Sequence, residues 1–103
     1  MPKIITKQQV QEMENENVKL IDIRSQEEYE KMHISGTINI PTGELPAKLT
    51  AFKKQDILVC ICNYGKERSQ QAADFLLNEG FKNSFYLQGG TYGWHEEKEP
   101  LKK

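Results

Sequence analysis

Cysteine is scarce: Cys60 and Cys62 are the only two in the 103-residue chain. One residue apart, they would point the same way on a strand, but a C-x-C pair is too local to staple a fold. With no other cysteine to pair with, a reducing compartment and at least one free thiol are expected. Histidine is as rare. His33 and His95 lie far from the cysteines and show no ligand spacing, so zinc is not expected, and no cofactor is called for. No apolar run approaches the roughly 18 residues that a membrane span needs. The N-terminal MPKIITKQQ has no signal-peptide core, which points to a cytoplasmic protein without a membrane partner. A net charge of −1 gives no reason to expect a nucleic-acid partner. Internal repeats, linkers and low-complexity segments are absent. The run Glu96-Glu97-Lys98-Glu99 reads as solvated surface, and the tail from Pro100 to Lys103 as loose.

What is present suits one small globular domain over residues 1–103. Hydrophobic residues make up 37% of the chain and come in short clusters separated by polar ones, with modest stability expected at this size. Lys3–Ile5 is a short strand. Thr6-Lys7-Gln8-Gln9 is a capping box opening a helix of about two turns through Val10 and Met13, ended by Asn15 to Asn17. Val18–Ile23 (VKLIDI) is apolar almost throughout, as a parallel strand covered on both faces would be. Ser25-Gln26-Glu27-Glu28 is a second capping box, opening a helix through Tyr29 and Met32. Thr37–Ile40 is a brief strand stopped by Pro41, and Gly43 and Pro46 bracket the entry to a helix reaching Phe52. Ile57–Ile61 is the most convincing strand. Ser69–Glu79 is the best helix, with Ala72, Ala73, Leu76 and Leu77 on one face and Gly80 at the C′ position. Ser84–Leu87 is a last strand, Gly89-Gly90 a tight turn and Thr91–Glu97 a short helix. This alternation predicts an α/β fold with a central, mostly parallel sheet flanked by helices.

In such a fold the active crevice lies at the carboxyl ends of the strands, where Cys62 stands. The loop Asn63 to Ser69 leads from it into a helix start. Its backbone N–H groups can curl into an anion-binding nest, Gly65 permits a turn that a β-carbon disfavours, and Arg68 and the helix dipole favour negative charge. An ordinary thiol is only a few per cent thiolate at neutral pH; this setting lowers its pKa. Cys62 is thus the candidate nucleophile and Cys60 an inert core residue, with a resolving thiol as the alternative. Lys66 reads as a solvated lysine or a guide for anions, Glu67 as a first-turn acid, and Tyr64 as either loop packing or the pocket mouth.

Cys62-Asn63-Tyr64-Gly65-Lys66-Glu67-Arg68-Ser69, followed by Ala72-Ala73, resembles the active-site loop of the rhodanese (thiosulfate sulfurtransferase) family. Three more segments resemble that family in its order. They are Asp22-Ile23-Arg24 with Glu28-Tyr29, then His33 to Pro41 (HISGTINIP), then Leu87 to Trp94 (LQGGTYGW). The resemblance implies a rhodanese-like fold and a two-step covalent mechanism. Cys62 would take the outer sulfur of thiosulfate or of a persulfide, hold it as a persulfide, and pass it to cyanide or to an acceptor thiol. That acceptor could be a thioredoxin-like or sulfur-carrier protein. Asn63 to Ser69 would bind substrate through their N–H groups, and Asp22 and Arg24 would be structural supports, with an ordinary surface ion pair as the plainer alternative.

One departure stands out. The usual sulfurtransferase loop places four residues between Cys and Arg, and here there are five. That spacing, with Glu67 before Arg68 as a possible proton donor, resembles the related cell-cycle protein-tyrosine phosphatases and the arsenate reductases built on the same fold. Ile61, where those phosphatases commonly carry histidine, does not fit them. A phosphatase or arsenate reductase, and a non-catalytic binding module, therefore stay open as alternatives.

Overall fold

The computed structural model describes residues 3–13 and 17–96. Asn15 and Glu16 of the helix stop expected at Asn15 to Asn17, all but Glu96 of the charged run Glu96–Glu99, and the tail lie outside those residues. Five strands form one sheet in the order β1-β5-β4-β2-β3, and every neighbouring pair is parallel. They are β1 (Lys3–Ile5), β2 (Val18–Asp22), β3 (Ile38–Asn39), β4 (Ile57–Ile61) and β5 (Ser84–Leu87). The helices α1 (Lys7–Glu12), α2 (Gln26–Lys31), α3 (Glu67–Asn78) and α4 (Gly90–Glu96) alternate with them, and a 3₁₀ helix spans Thr42–Ala51.

Central strand β4 explains the two layers. Leu58, Cys60 and, just beyond the strand, Cys62 face one side, packed with Ala72, Ala73 and Leu76 of α3 and with Leu45 and Phe52. Val59 and Ile61 alternate onto the other side against Val10 of α1, Ile34 and Leu87. A strand covered on both faces must be apolar throughout, and ILVCI is. Strand β2 is covered only toward its carboxyl end: Ile21 and Asp22 are buried, while Val18, Lys19 and Leu20 are half-buried. The continuous burial expected for VKLIDI therefore holds for its last residues alone.

Both capping boxes form. Thr6 and Gln9 close the start of α1, and Ser25 and Glu28 that of α2. Gly80 takes φ +96° after α3. The Gly80 N–H donates to the Leu77 carbonyl and the Phe81 N–H to that of Leu76, each at 3.0 Å, a Schellman ending whose apolar partners, Phe81 and Leu76, are both in the core.

Three expectations shift. Helix α3 begins at Glu67, two residues before Ser69, so Arg68 lies within its first turn. The strand near Thr37–Ile40 pairs only at Ile38 and Asn39. The segment after Pro41 is a 3₁₀ helix with Pro46 inside it, where the missing proline N–H leaves one helical bond unmade. Among the described residues no helix is long and apolar enough to cross a membrane.

Candidate functional site

The carboxyl ends of β2 and β4 meet below one loop. Ile23 N–H donates to the Ile61 carbonyl at 3.0 Å, and Thr91 N–H, at the start of α4, donates to the Cys62 carbonyl at 2.8 Å. The loop Cys62–Ser69 then rises and turns back into α3. Gly65 sits at φ +74°, and a β-carbon there would fall 2.4 Å from the Leu87 carbonyl oxygen and 2.7 Å from the Gly89 nitrogen. From below, a β-carbon on Gly90 would strike the Cys62 oxygen at 2.5 Å. The loop and the Gly89-Gly90 turn thus touch backbone to backbone, an approach only glycine allows.

Cys62 is 2% exposed. Its Sγ lies 3.2 Å from Ser69 Oγ, and that hydroxyl is also 3.1 Å from the Lys66 carbonyl. Burial pushes the thiol up. Hydrogen bonds from the Ser69 hydroxyl and from the backbone N–H groups of Lys66, Ser69 and Gly65 outweigh it, so the Cys62 pKa falls below its ordinary 9.0. The Lys66 carbonyl keeps a bond from the Gln70 N–H, so Ser69 can turn its proton to a thiolate without stranding that oxygen. Cys60 is the opposite case. Burial, and then the neighbouring Cys62, push its thiol up to about 12, which suits the core role expected of it.

Asp22 and Arg24 are not a surface ion pair: they are 0% and 1% exposed. Arg24 Nε donates to Asp22 Oδ1 at 2.9 Å and Nη2 to Oδ2 at 2.8 Å. The same guanidinium donates to the Met32 carbonyl at 2.6 Å and, through Nη1, to Asn63 Oδ1 at 3.2 Å. A buried pair therefore holds the first residue after Cys62.

Arg68 is paired with a carboxylate of α2. Its Nη2 and Nη1 donate to Glu28 Oε1 and Oε2 at 3.1 and 3.4 Å. Glu28 also accepts from Asn63 Nδ2 at 3.3 Å and caps α2 through Ser25. The Arg68 hydrogen bonds, with lesser help from the Ser25 N–H, hold its carboxyl at about 2. One carboxylate of α2 thus joins the two ends of the loop. Sequence reasoning reached Glu28 only as a cap and as part of a motif, because its partner lies 40 residues away.

Above the sulfur is an open depression of about 380 Å³, lined by Cys62, Asn63, Tyr64, Lys66, Glu67 and Arg68, large enough for a small molecule. Tyr64 is 59% exposed and stacks on Tyr92 with ring centroids 5.1 Å apart, so it forms the rim. Ser69 lies beneath, fully buried. Of the residues predicted from the sequence, Cys62 to Ser69 and the Asp22–Arg24 pair converge on one place. Among the described residues, no group of three or more His, Cys, Asp or Glu side chains is arranged to hold a metal ion.

A parallel α/β sheet with a cysteine loop between a strand end and a helix start defines the class of protein. The sequence profile of the rhodanese-like domain matches residues 6–97, and the chain belongs to that family. It is 34% identical over 89 residues to the thiosulfate sulfurtransferase GlpE of Shewanella oneidensis, covering 86% of this chain and 87% of that protein. It is 35% identical over 80 residues to the putative sulfur carrier protein YrkF of Bacillus subtilis, covering 78% of this chain but only 43% of that longer protein. The crystal structure of a rhodanese-related protein from Thermoplasma volcanium superposes with a TM-score of 0.81 at 30% identity, over 95% of both chains.

Proposed function

We propose that the protein is a sulfurtransferase in which Cys62 carries a sulfane sulfur from a small donor, thiosulfate or a persulfide, to a thiol or cyanide acceptor. The observation that carries this reading is the sulfur's setting. A thiol drawn below its ordinary pKa by Ser69 and three backbone N–H groups lies beneath an open pocket. The thiolate attacks the donor's outer sulfur, and the donor leaves as sulfite or as a thiolate. The loop N–H groups that favour the thiolate also favour the anionic persulfide, being fixed before any charge develops. An acceptor thiolate then attacks the outer sulfur and restores Cys62. A thioredoxin-like or sulfur-carrier protein could supply that thiol across the Tyr64 rim. The Asp22–Arg24 pair and Asn63 hold the loop in place.

Mass spectrometry after incubation with thiosulfate or glutathione persulfide should show one added sulfur on Cys62, absent in Cys62→Ser and removed by cyanide. A wild-type protein that takes up sulfur from neither donor rules the reading out. The five-residue spacing from Cys62 to Arg68, with Glu67 in the pocket lining, favours a second reading as a phosphatase or arsenate reductase. Aryl-phosphate hydrolysis that requires Cys62 and weakens in Glu67→Gln would establish it.

A further inference from the structure

The charges around the pocket cancel. Lys66 and Arg68 are the cations of its lining and Glu67 its anion; Glu28 adds a second negative charge, bound directly to Arg68. A small anion entering the depression therefore meets the loop's backbone N–H groups and the start of α3 but no net side-chain charge. This matters differently for the two kinds of sulfur donor. Thiosulfate is a tetrahedral dianion like phosphate and arsenate, and a loop that binds such an ion well turns an arginine fork toward it. Here both Nη atoms of that fork are engaged by Glu28. A thiol persulfide carries at most one charge on its reacting end and needs only the N–H groups and an attackable outer sulfur.

We propose that Glu28 is a specificity-determining residue. By holding Arg68 it turns the site away from tetrahedral dianions and toward thiol persulfides as sulfur donors. The assignment rests on the sulfur-transfer reading of Cys62. The step balances as Cys62–S⁻ + R–S–SH → Cys62–S–SH + R–S⁻. The thiolate lone pair forms the new S–S bond, and the electron pair of the old one leaves on the donor thiolate. Cys62 is oxidised to the persulfide as the donor is reduced to its thiol, and the proton stays on the transferred sulfur. Glu28 takes no part in these bonds and acts through Arg68 as a positioning residue. Its other contacts agree with a fixed role: the capping box and Asn63 hold the carboxylate from two further directions.

Glu28→Gln tests this without dismantling α2, because glutamine serves in a capping box as glutamate does. The readout is the rate of sulfur loading on Cys62 from glutathione persulfide divided by the rate from thiosulfate. A general structural defect slows both and leaves the ratio alone. In the wild type the ratio should exceed one. In Glu28→Gln it should fall roughly two- to fivefold, the scale of a partly exposed ion pair, through faster loading from thiosulfate. The double variant Glu28→Gln/Arg68→Met should lose that gain. An unchanged or rising ratio in Glu28→Gln overturns the proposal, as does a wild type that loads faster from thiosulfate. If neither donor loads the wild type, the sulfur-transfer reading has failed, and with it the assignment of a persulfide donor. The control of Arg68 by Glu28 is then read separately, from protection of Cys62 against iodoacetamide by inorganic phosphate. Protection at lower phosphate in Glu28→Gln supports that control, and equal protection refutes it.

Discussion

Replacing Arg24 by methionine should destabilise the protein by about 3–5 kcal/mol, the cost of leaving one partner of a buried ion pair uncompensated. The structure sets this scale. Asp22 is fully buried and would lose the Nε and Nη2 donors at 2.9 and 2.8 Å, keeping the backbone N–H of residue 24 at 3.1 Å. The Met32 carbonyl and Asn63 Oδ1 would each lose a donor as well. Against a total stability of about 5–15 kcal/mol for a domain, the variant would be folded only marginally. Arg68→Met is the matched control. Its pair with Glu28 is 47% and 35% exposed, so its loss should cost less than about 1 kcal/mol. Urea unfolding analysed by linear extrapolation measures both. On heating, Arg24→Met should melt more than about 12 °C below the wild type, at roughly 4–8 °C per kcal/mol for this size. Adding Asp22→Asn should recover part of the loss, since it removes the orphaned charge. If Arg24→Met costs no more than Arg68→Met, the pair behaves as a solvated one and the argument from burial is wrong.

Ser69→Ala removes the hydroxyl donor to Cys62, so the pH midpoint for alkylation of Cys62, below 9.0 in the wild type, should move upward; an unmoved midpoint would leave the lowering to the N–H groups alone. Cys60→Ala should lower the urea midpoint while leaving Cys62 alkylation and sulfur loading near wild type, because Cys60 is fully buried with its thiol near 12; lost loading with unchanged stability would make it a resolving thiol. Glu28 has a folded pKa of about 2 against an ordinary 4.5, so the stability it adds is complete above pH 4.5 and is lost as pH falls toward 2. The stability difference between wild type and Glu28→Gln, under about 1 kcal/mol for an exposed pair, should be constant above that window and close within it; a difference that persists to pH 2 contradicts the assignment.

Much of the fold could be read from local chemistry. Two capping boxes start α1 and α2, Gly80 ends α3, and the unbroken apolar run of β4 marks a strand covered on both faces. Each of these signals sits within a few residues of the structure it causes. The family motifs likewise brought Cys62, the loop, and Asp22 with Arg24 to one place. What escaped depends on contacts between distant segments. Asp22-Ile23-Arg24 looks the same in sequence whether the pair is solvated or buried; only Met32 and Asn63 closing over the guanidinium decide it. Arg68 read simply as a positive charge favouring anions, because nothing near it in sequence is its partner. The 3₁₀ winding of Thr42–Ala51 was also hidden, since Gly43 and Pro46 mark a helix entry without choosing its pitch.

The contact between Gly65 and the Gly89-Gly90 turn has a consequence for how this site can change. The loop's course is held by backbone against backbone, by Asn63, and by the buried Ser69. Tyr64, Lys66, Glu67 and Arg68 project outward from that frame and are all exposed. Apart from Arg68, which Glu28 ties to Asn63, their identities carry little of the loop's shape, so they can be exchanged while the N–H groups around Cys62 stay where they are. Activation of the thiol and the chemistry of the rim are thereby borne by separate atoms: the main chain and the buried Ser69 hydroxyl lower the pKa of Cys62, and the rim is free to change without a loss of folding.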